Sequence, residues 1–353
     1  MPIEIGAARP AVVSSLSLNG IATAGSSTTQ AGQVGLGPRR VQAQGALALQ
    51  NPTAVGVRVH AGPSNADSLK RIVDDVVQGP RASAAERAQS RVVLRDYLEA
   101  YGFSVVEENY GSGTNVLGVL AGNTHPHELV YLSAHYDTVP HCDGANDNGS
   151  AMAAALEIAR QLAAQPNPRT LVVAFWDEEE LGLVGARAHD PATTGIPAAE
   201  PVLNMNLDAV GIYSDEPGSQ VMPPGLEYAA PLQYREIARD GFRGDFITLI
   251  SDLPSFLLTR RAARSVESEG LDAVTVSLPR WAIERFAPDL RRSDHAAFWD
   301  KGVPAVFVTD SANFRSDHYH CRAGEDDAGL LDFERMSRLT NGLTPALSDA
   351  LKP

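Results

Sequence analysis

The 353-residue chain is predicted to be an α/β protein, a three-layer α/β/α sandwich around a mainly parallel or mixed central sheet. Three observations predict this. Short, nearly continuous apolar runs recur along the chain, helical patterns separate several of them, and polar residues gather directly beyond the ends of the runs. Runs apolar on both faces suit strands covered from two sides. Their alternation with helices selects a layered α/β architecture.

The elements follow in order. The first 60 residues are rich in Ala, Gly, Ser, Val and Gln, contain no Phe, Trp, Tyr or Cys, and show no sustained period. Residues 1–62 therefore read as a disordered extension, and 63–353 as the folded domain. Regular structure is expected from Ser64, because Leu69, Ile72, Val73, Val76 and Val77 fall at helical spacing. Ser83 and Glu86 form an S-x-x-E capping box that opens a second helix. It continues through Val92, Val93, Leu94, Tyr97 and Leu98 to a C-terminal cap at Gly102. Strands are predicted at 103–106, 115–121, 128–134, 170–176, 201–207 and 303–308. Helices are predicted at 149–164, 228–241 and 332–350, and a long loop at 211–226. There is no internal repeat.

Composition narrows the function. With 44% hydrophobic and 20% charged residues, the chain has ample material for a large core. Acidic residues outnumber basic ones by 43 to 29, for a formal charge of −14. Such a surface repels phosphate backbones and anionic lipid, which argues against nucleic-acid and membrane-surface roles. No apolar run reaches the length of a membrane span. The N-terminus lacks a cationic start and a continuous apolar stretch, so no secretory signal is evident and the expectation leans to the cytoplasm. Two cysteines cannot build a disulfide scaffold. Oligomeric state is left open.

The chemistry lies at the strand ends. His135 and Asp137 follow the 128–134 run, Asp177 to Glu180 follow 170–176, Asp208 follows 201–207, and His318 and His320 lie beyond 303–308. Open α/β sheets bind ligands outside the carboxyl ends of their strands, so these groups are expected to share one edge. That many carboxylates cannot all stay ionised in a dry cleft without cations. Two imidazoles and three carboxylates suit two zinc ions with one bridging carboxylate. Each piece alone is common, since a run of Glu is ordinarily a solvated face. Their order and strand context give them weight.

The series AHYDTV (134–139), GANDNGSA (144–151), DEEELGLVGA (177–186), NLDAVG (206–211), SDHAAFWDKGVPAVFVTD (293–310) and HYHCRAGEDD (318–327) resembles the M28 family of zinc aminopeptidases. The likeness runs from about residue 66 to the C-terminus. It implies two Zn²⁺ per chain, a peptide substrate and removal of N-terminal residues. Asp147 would bridge the metals, His135 and Asp208 would complete one site, and Glu180 and His320 the other. Glu179 would act as general base on a metal-bridging water, and Asp137 would orient the His135 imidazole. Tyr319 is a candidate donor to the developing oxyanion, with a packing role equally open. Asp294 and His295, in the S-D-H segment, are candidate substrate-binding residues, with a structural role equally open for His295. Two other readings fit the same fold: a glutaminyl cyclase, disfavoured by the EELGLVGA segment, and a metal-free binding module, disfavoured because all five ligand positions are filled.

Some positions depart from the family pattern. Asn146 stands where relatives commonly have Asp, and Cys321 where the residue after the last ligand is usually Thr. On the implied fold, Cys142 and Cys321 lie in loops that converge on the metal pocket. Two isolated thiols are the expectation there, with a disulfide as the alternative. His318 is disfavoured as a ligand because the family's ligand immediately precedes the Thr position. His125 and His127 are expected in a solvated turn, and His189 at the end of a short helix.

Overall fold

The computed structural model describes Val57 and residues 59–353. Ten α-helices and eight strands occur among them. In chain order these are α1 (Ala66–Val76), α2 (Ala84–Ala100), β1 (Ser104–Asn109), β2 (Thr114–Leu120), β3 (His125–His135), α3 (Ala151–Ala163), β4 (Arg169–Trp176), α4 (Val184–Ala188) and β5 (Glu200–Leu207). There follow α5 (Leu226–Ala229), α6 (Pro231–Arg239), β6 (Phe246–Asp252), α7 (Phe256–Ser268), β7 (Asp272–Leu278), α8 (Arg280–Phe286), α9 (His295–Asp300), β8 (Ala305–Thr309) and α10 (Phe333–Ala350).

The strands form one mixed sheet in the order β1-β2-β4-β3-β5-β8-β6-β7. Its centre, β4-β3-β5-β8, is parallel throughout. Antiparallel β2 and β6 flank that centre, β1 pairs antiparallel with β2, and β7 lies parallel to β6 at the far edge. The parallel centre brings the carboxyl ends of four strands to one edge of the sheet.

Alternation along the central strands explains the three layers. Val130, Leu132 and Ala134 of β3, with Leu171, Val173 and Phe175 of β4, join a core shared with α1, α2, α3, α7 and α10. Leu129 and Tyr131, with Val172, Ala174 and Trp176, face the opposite way into a second core with α5, α8 and α9. A strand whose successive side chains point to opposite faces must be apolar throughout when both faces are covered.

The helix starts are set by side-chain caps. Ser83 accepts from the Glu86 N–H and the Glu86 side chain answers, as the sequence predicts. The cap of α1 is Asn65, one residue beyond the expected start at Ser64, again with a reciprocal box to Ser68. Val77 lies beyond the last turn of that helix. His125 and His127 open β3 instead of lying in a turn. The body reaches back to His60, whose Nε2 lies 3.2 Å from the Glu157 carboxylate; Arg160 donates to the carbonyls of His60 and Gly62. The expectation for residues 1–62 otherwise falls outside the described residues.

The stretch 242–302 contains β6, α7, β7 and α8, none of which the sequence reading assigned. β7 is an edge strand with half-exposed positions, and α7 has only Thr259, Ala262, Ala263 and Val266 buried. Apolar runs are therefore diluted there. α7 packs on α10 at Gly342, where an added Cβ would lie 2.5 Å from the Val266 Cα. A backbone atom cannot move aside as a flexible side chain can. Gly342→Ala is expected to lower stability by about 1–3 kcal/mol through overpacking, read as a lower midpoint in urea unfolding.

Candidate metal centre

His135 is the last residue of β3, and Asp208 immediately follows β5. Asp147 lies in the connection from β3 to α3, Glu179 and Glu180 in the turn after β4, and His320 in the loop after β8. The structure brings all six together. His135 Nε2 is 3.1 Å from Asp147 Oδ1 and 3.7 Å from Asp208 Oδ1. His320 Nε2 is 3.3 Å from Asp147 Oδ2 and 3.1 Å from Glu180 Oε2. Two donor groups result, His135–Asp147–Asp208 and Asp147–Glu180–His320, each with its ligand atoms within 4.8 Å of one another. Asp147 belongs to both.

Local backbone chemistry presents these groups. The Asp137 carboxylate accepts the N–H groups of Glu179 (3.0 Å) and Glu180 (3.2 Å), and its Oδ1 lies 3.4 Å from His135 Nδ1. One side chain thus aligns the imidazole and fixes the acidic turn. The two acids before them go elsewhere. Asp177 Oδ1 lies 2.8 Å from Arg87 Nε, and Glu178 accepts from Arg87 and Ser112. Glu178 has a left-handed φ of 57°, which turns the chain so that Glu179 and Glu180 face the cleft. Such strain in a non-glycine residue is characteristic of functional sites. His320 (φ 58°) and Cys321 (φ 55°) share that conformation.

The loop carrying Asp147 is held by residues that sequence reasoning missed. Arg81 is buried and donates to the carbonyls of Tyr136 (2.7 Å), Asp143 (2.6 Å) and Gly144 (3.0 Å). Burial lowers its pKa to about 10, against the pull of Asp137, Asp147 and Asp326. The Asp326 carboxylate accepts the N–H groups of Asn146 (2.9 Å) and Asp147 (3.0 Å). Asn148 donates to Leu207 O and accepts from Ala209 N, tying the loop to the end of β5 beside Asp208. Asp326 sits in the quoted HYHCRAGEDD segment, so its position was visible although its job was not.

Cys142 and Cys321 form a disulfide, with Cα atoms 5.6 Å apart. This corrects the expectation of two isolated thiols. The bond joins the loop before Asp147 to the residue after His320, so it straddles the second donor group. His318 points away and bonds the Glu325 carbonyl at 2.8 Å. His189 is buried between Glu108 and Tyr131.

The S-D-H segment divides. Neither Asp294 nor His295 lines the cleft among the described residues. His295 is buried, bonds the Leu290 carbonyl at 2.9 Å and stacks on Phe307 with centroids 4.4 Å apart. Burial lowers its pKa to about 3, so it is a neutral core residue and the structure does not bring it to the site. Asp294 is equally buried, yet neither carboxylate oxygen has a hydrogen-bond partner among the described residues. It lies within electrostatic reach of His135, Asp137, Asp208 and Glu180.

The site's electrostatics follow from this crowding. Burial raises Glu179 well above the ordinary carboxylate range; nearby His135 opposes, while Asp294, Asp208 and Glu180 add to the rise. Burial also raises Glu180, and the Asp147 charge adds to it. Burial would raise Asp147 too, but the close imidazoles of His135 and His320 pull it below its usual range. Burial disfavours a charged His135, and Glu179 with the adjoining carboxylates overcomes that and raises it. Asp147 Oδ1, Glu180 Oε1 and His320 Nε2 are buried without a proper hydrogen bond. Unpartnered donor atoms among mutually repelling carboxylates fit divalent cations, and mixed imidazole and carboxylate ligands fit zinc.

Two cavities meet here. The polar cleft is lined by His135, Asp147, Glu179, Glu180, Asp208 and Tyr319, among others. Beside it opens a small cavity walled by Pro223, Ile250, Leu290, Phe307 and Phe314, among others. Asp208, Arg292 and Tyr319 border both. The Tyr319 ring stacks on His320 with centroids 3.7 Å apart.

Residues 115–238, which span β2 to α6 and include four of the five grouped ligand candidates, match the model of Peptidase family M28. Over this third of its length the chain is similar to peptidase family M28. That likeness, shared with proteins described as zinc metalloproteases and aminopeptidases, supports a zinc-dependent peptidase. The Escherichia coli K12 protein YfbL is 26% identical over 308 residues, covering 82% of this chain and 88% of YfbL. Aminopeptidase YwaD of Bacillus subtilis is 37% identical over 98 residues, which cover 28% of this chain and 22% of YwaD. Among solved structures, the LapA aminopeptidase of Legionella pneumophila shares the fold with a TM-score of 0.58 at 16% identity, over 81% of this chain and 72% of LapA.

Asp147→Ala is expected to reduce bound zinc to below one ion per chain, measured by atomic absorption after reconstitution and desalting. His295→Phe, which changes a core residue, is expected to keep the wild-type zinc content.

Proposed function

We infer that this chain is a two-zinc aminopeptidase. The observation that carries the reading is the sharing of Asp147 by two imidazole–carboxylate donor groups, with an uncommitted Glu179 in the same cleft. His135 and Asp208 would hold one ion, Glu180 and His320 the other, and Asp147 both. When bound, the zinc pair supplies Lewis acidity toward the scissile carbonyl and toward water.

The chain's own residues would do the rest. Glu179 makes no ion pair among the described residues, and its raised pKa suits a group that accepts a proton from the attacking water and passes it to the leaving amine. Asp137 keeps Glu179 and the His135 ring in register through the two N–H bonds and the Nδ1 contact. Tyr319 lines the cleft, and its hydroxyl is kept protonated by burial and by Asp147, Asp208 and Glu180, so it can donate to the oxyanion. Asp294 would act by adding negative charge near Glu179. The adjoining apolar cavity would take the side chain beside the scissile bond, which favours apolar residues. The Cys142–Cys321 bond suits an oxidising compartment better than the cytoplasm.

Digestion of a peptide library with and without a chelator, read by mass spectrometry, tests the reading. Loss of single N-terminal residues that stops on metal removal is expected. Internal cleavage, or pyroglutamate from a glutaminyl peptide without hydrolysis, would overturn it. Glu179→Gln is expected to keep its zinc and lose about 10²- to 10⁴-fold in kcat, because it removes a proton acceptor and no ligand.

A further inference from the structure

The rim between the two cavities contains one cation that the reaction as described does not use. Arg292 borders both the polar cleft and the apolar pocket. Its neighbour Arg291 also reaches the cleft, but it is engaged by Asp300 (2.5 Å) and Glu284 (3.4 Å). Arg292 has no such close partner among the described residues. Its Nη1 donates to the neutral Asn313 Oδ1 at 2.9 Å, its Nη2 to the Tyr319 hydroxyl at 3.5 Å, and its nearest carboxylate, Asp289, stands 3.8 Å away and half-exposed. The guanidinium thus has neutral oxygens as its hydrogen-bond partners, and its ion pair with Asp289 is a long one.

Its backbone is firmly placed. The next residue, Ser293, is buried and accepts from Asn206 of β5 at 2.7 Å, and Asp294 opens α9. The Tyr319 hydroxyl that touches Arg292 belongs to the ring stacked on His320. Arg292 is thus one side chain removed from a candidate zinc ligand.

A planar guanidinium offers paired N–H groups that match a carboxylate, and charge-assisted pairs of this kind are the strong ones. Once zinc offsets the cleft's own acids, Arg292 is the group that favours an anion there. A peptide has one anion that every sequence carries, its C-terminal carboxylate. It lies about one residue, roughly 3.3–3.6 Å of chain, beyond the scissile bond only when the substrate is a dipeptide. In a longer substrate a neutral amide occupies that place.

We propose that Arg292 binds the C-terminal carboxylate of the substrate and makes dipeptides the preferred substrate class. This rests on the aminopeptidase reading above. The test compares leucyl-leucine with leucyl-leucine amide, using zinc-loaded wild type, Arg292→Lys and Arg292→Gln. The wild type is expected to favour the free acid by about 10- to 100-fold in kcat/KM, mainly through KM. In Arg292→Gln the acid-to-amide ratio falls to about 1, and Arg292→Lys restores part of it. Binding of the same two ligands to zinc-loaded Glu179→Gln protein, measured by calorimetry, is expected to show the same preference without turnover. Equal use of acid and amide by the wild type, or a ratio that survives in Arg292→Gln, would overturn the proposal. A kcat loss shared by both substrates would also do so, because it would place Arg292 behind Tyr319 and not on the substrate. Preferential binding of the acid by a protein that hydrolyses neither ligand would uphold Arg292 and sink the peptidase reading.

Discussion

Asp137, Asp147, Glu179, Glu180, Asp208 and Asp294 crowd one edge of the sheet around two imidazoles, and the surrounding fold answers their mutual repulsion. Asp147 is at the centre, because each of its oxygens faces a different histidine. Removing a charge of this kind from water is costly unless it is paired and hydrogen-bonded. Arg81 beneath the preceding loop supplies opposite charge, whereas Asp326 holds the Asp147 backbone through two N–H bonds but adds to the repulsion. Cations among the ligands would meet the remainder, so metal binding and the integrity of this edge should be one problem.

The disulfide belongs to the same logic. It closes a sequence separation of 179 residues between the loop leading to Asp147 and the residue after His320. A cross-link over so long a loop restricts the unfolded chain most where order is hardest to obtain. It also anchors the left-handed pair His320–Cys321, a backbone shape that two non-glycine residues would not hold unaided. Sheet, buried arginine and cross-link all act on the same few loops.

Division of labour among the acids after β4 shows how tertiary contacts select function. Asp177 to Glu180 are four consecutive carboxylates with equal chemical standing in the sequence. Arg87 from α2 neutralises the first two, and Asp137 turns the last two into the cleft. Likewise Asp294 and His295 are neighbours with opposite fates, one feeling the metal edge and the other stacked in the core. Spacing along a strand or helix cannot distinguish such neighbours, because the deciding partner lies on another element.

The sequence by itself determined the layered α/β class and the strand ends bearing His135, Asp208 and the acidic turn. Those properties are local: apolar runs of strand length, followed by polar residues that must leave the core. It did not reveal β6, α7 or β7, whose half-exposed faces dilute the apolar pattern. Arg81 and Asp326 were also hidden, since their bonds to the Asp147 loop span 62 and 179 positions. The pairing of Cys142 with Cys321 was undecided for the same reason. Only closure of the chain sets these contacts, because hydrogen bonds, ion pairs and disulfides act over a few ångströms in space and leave no period in the sequence.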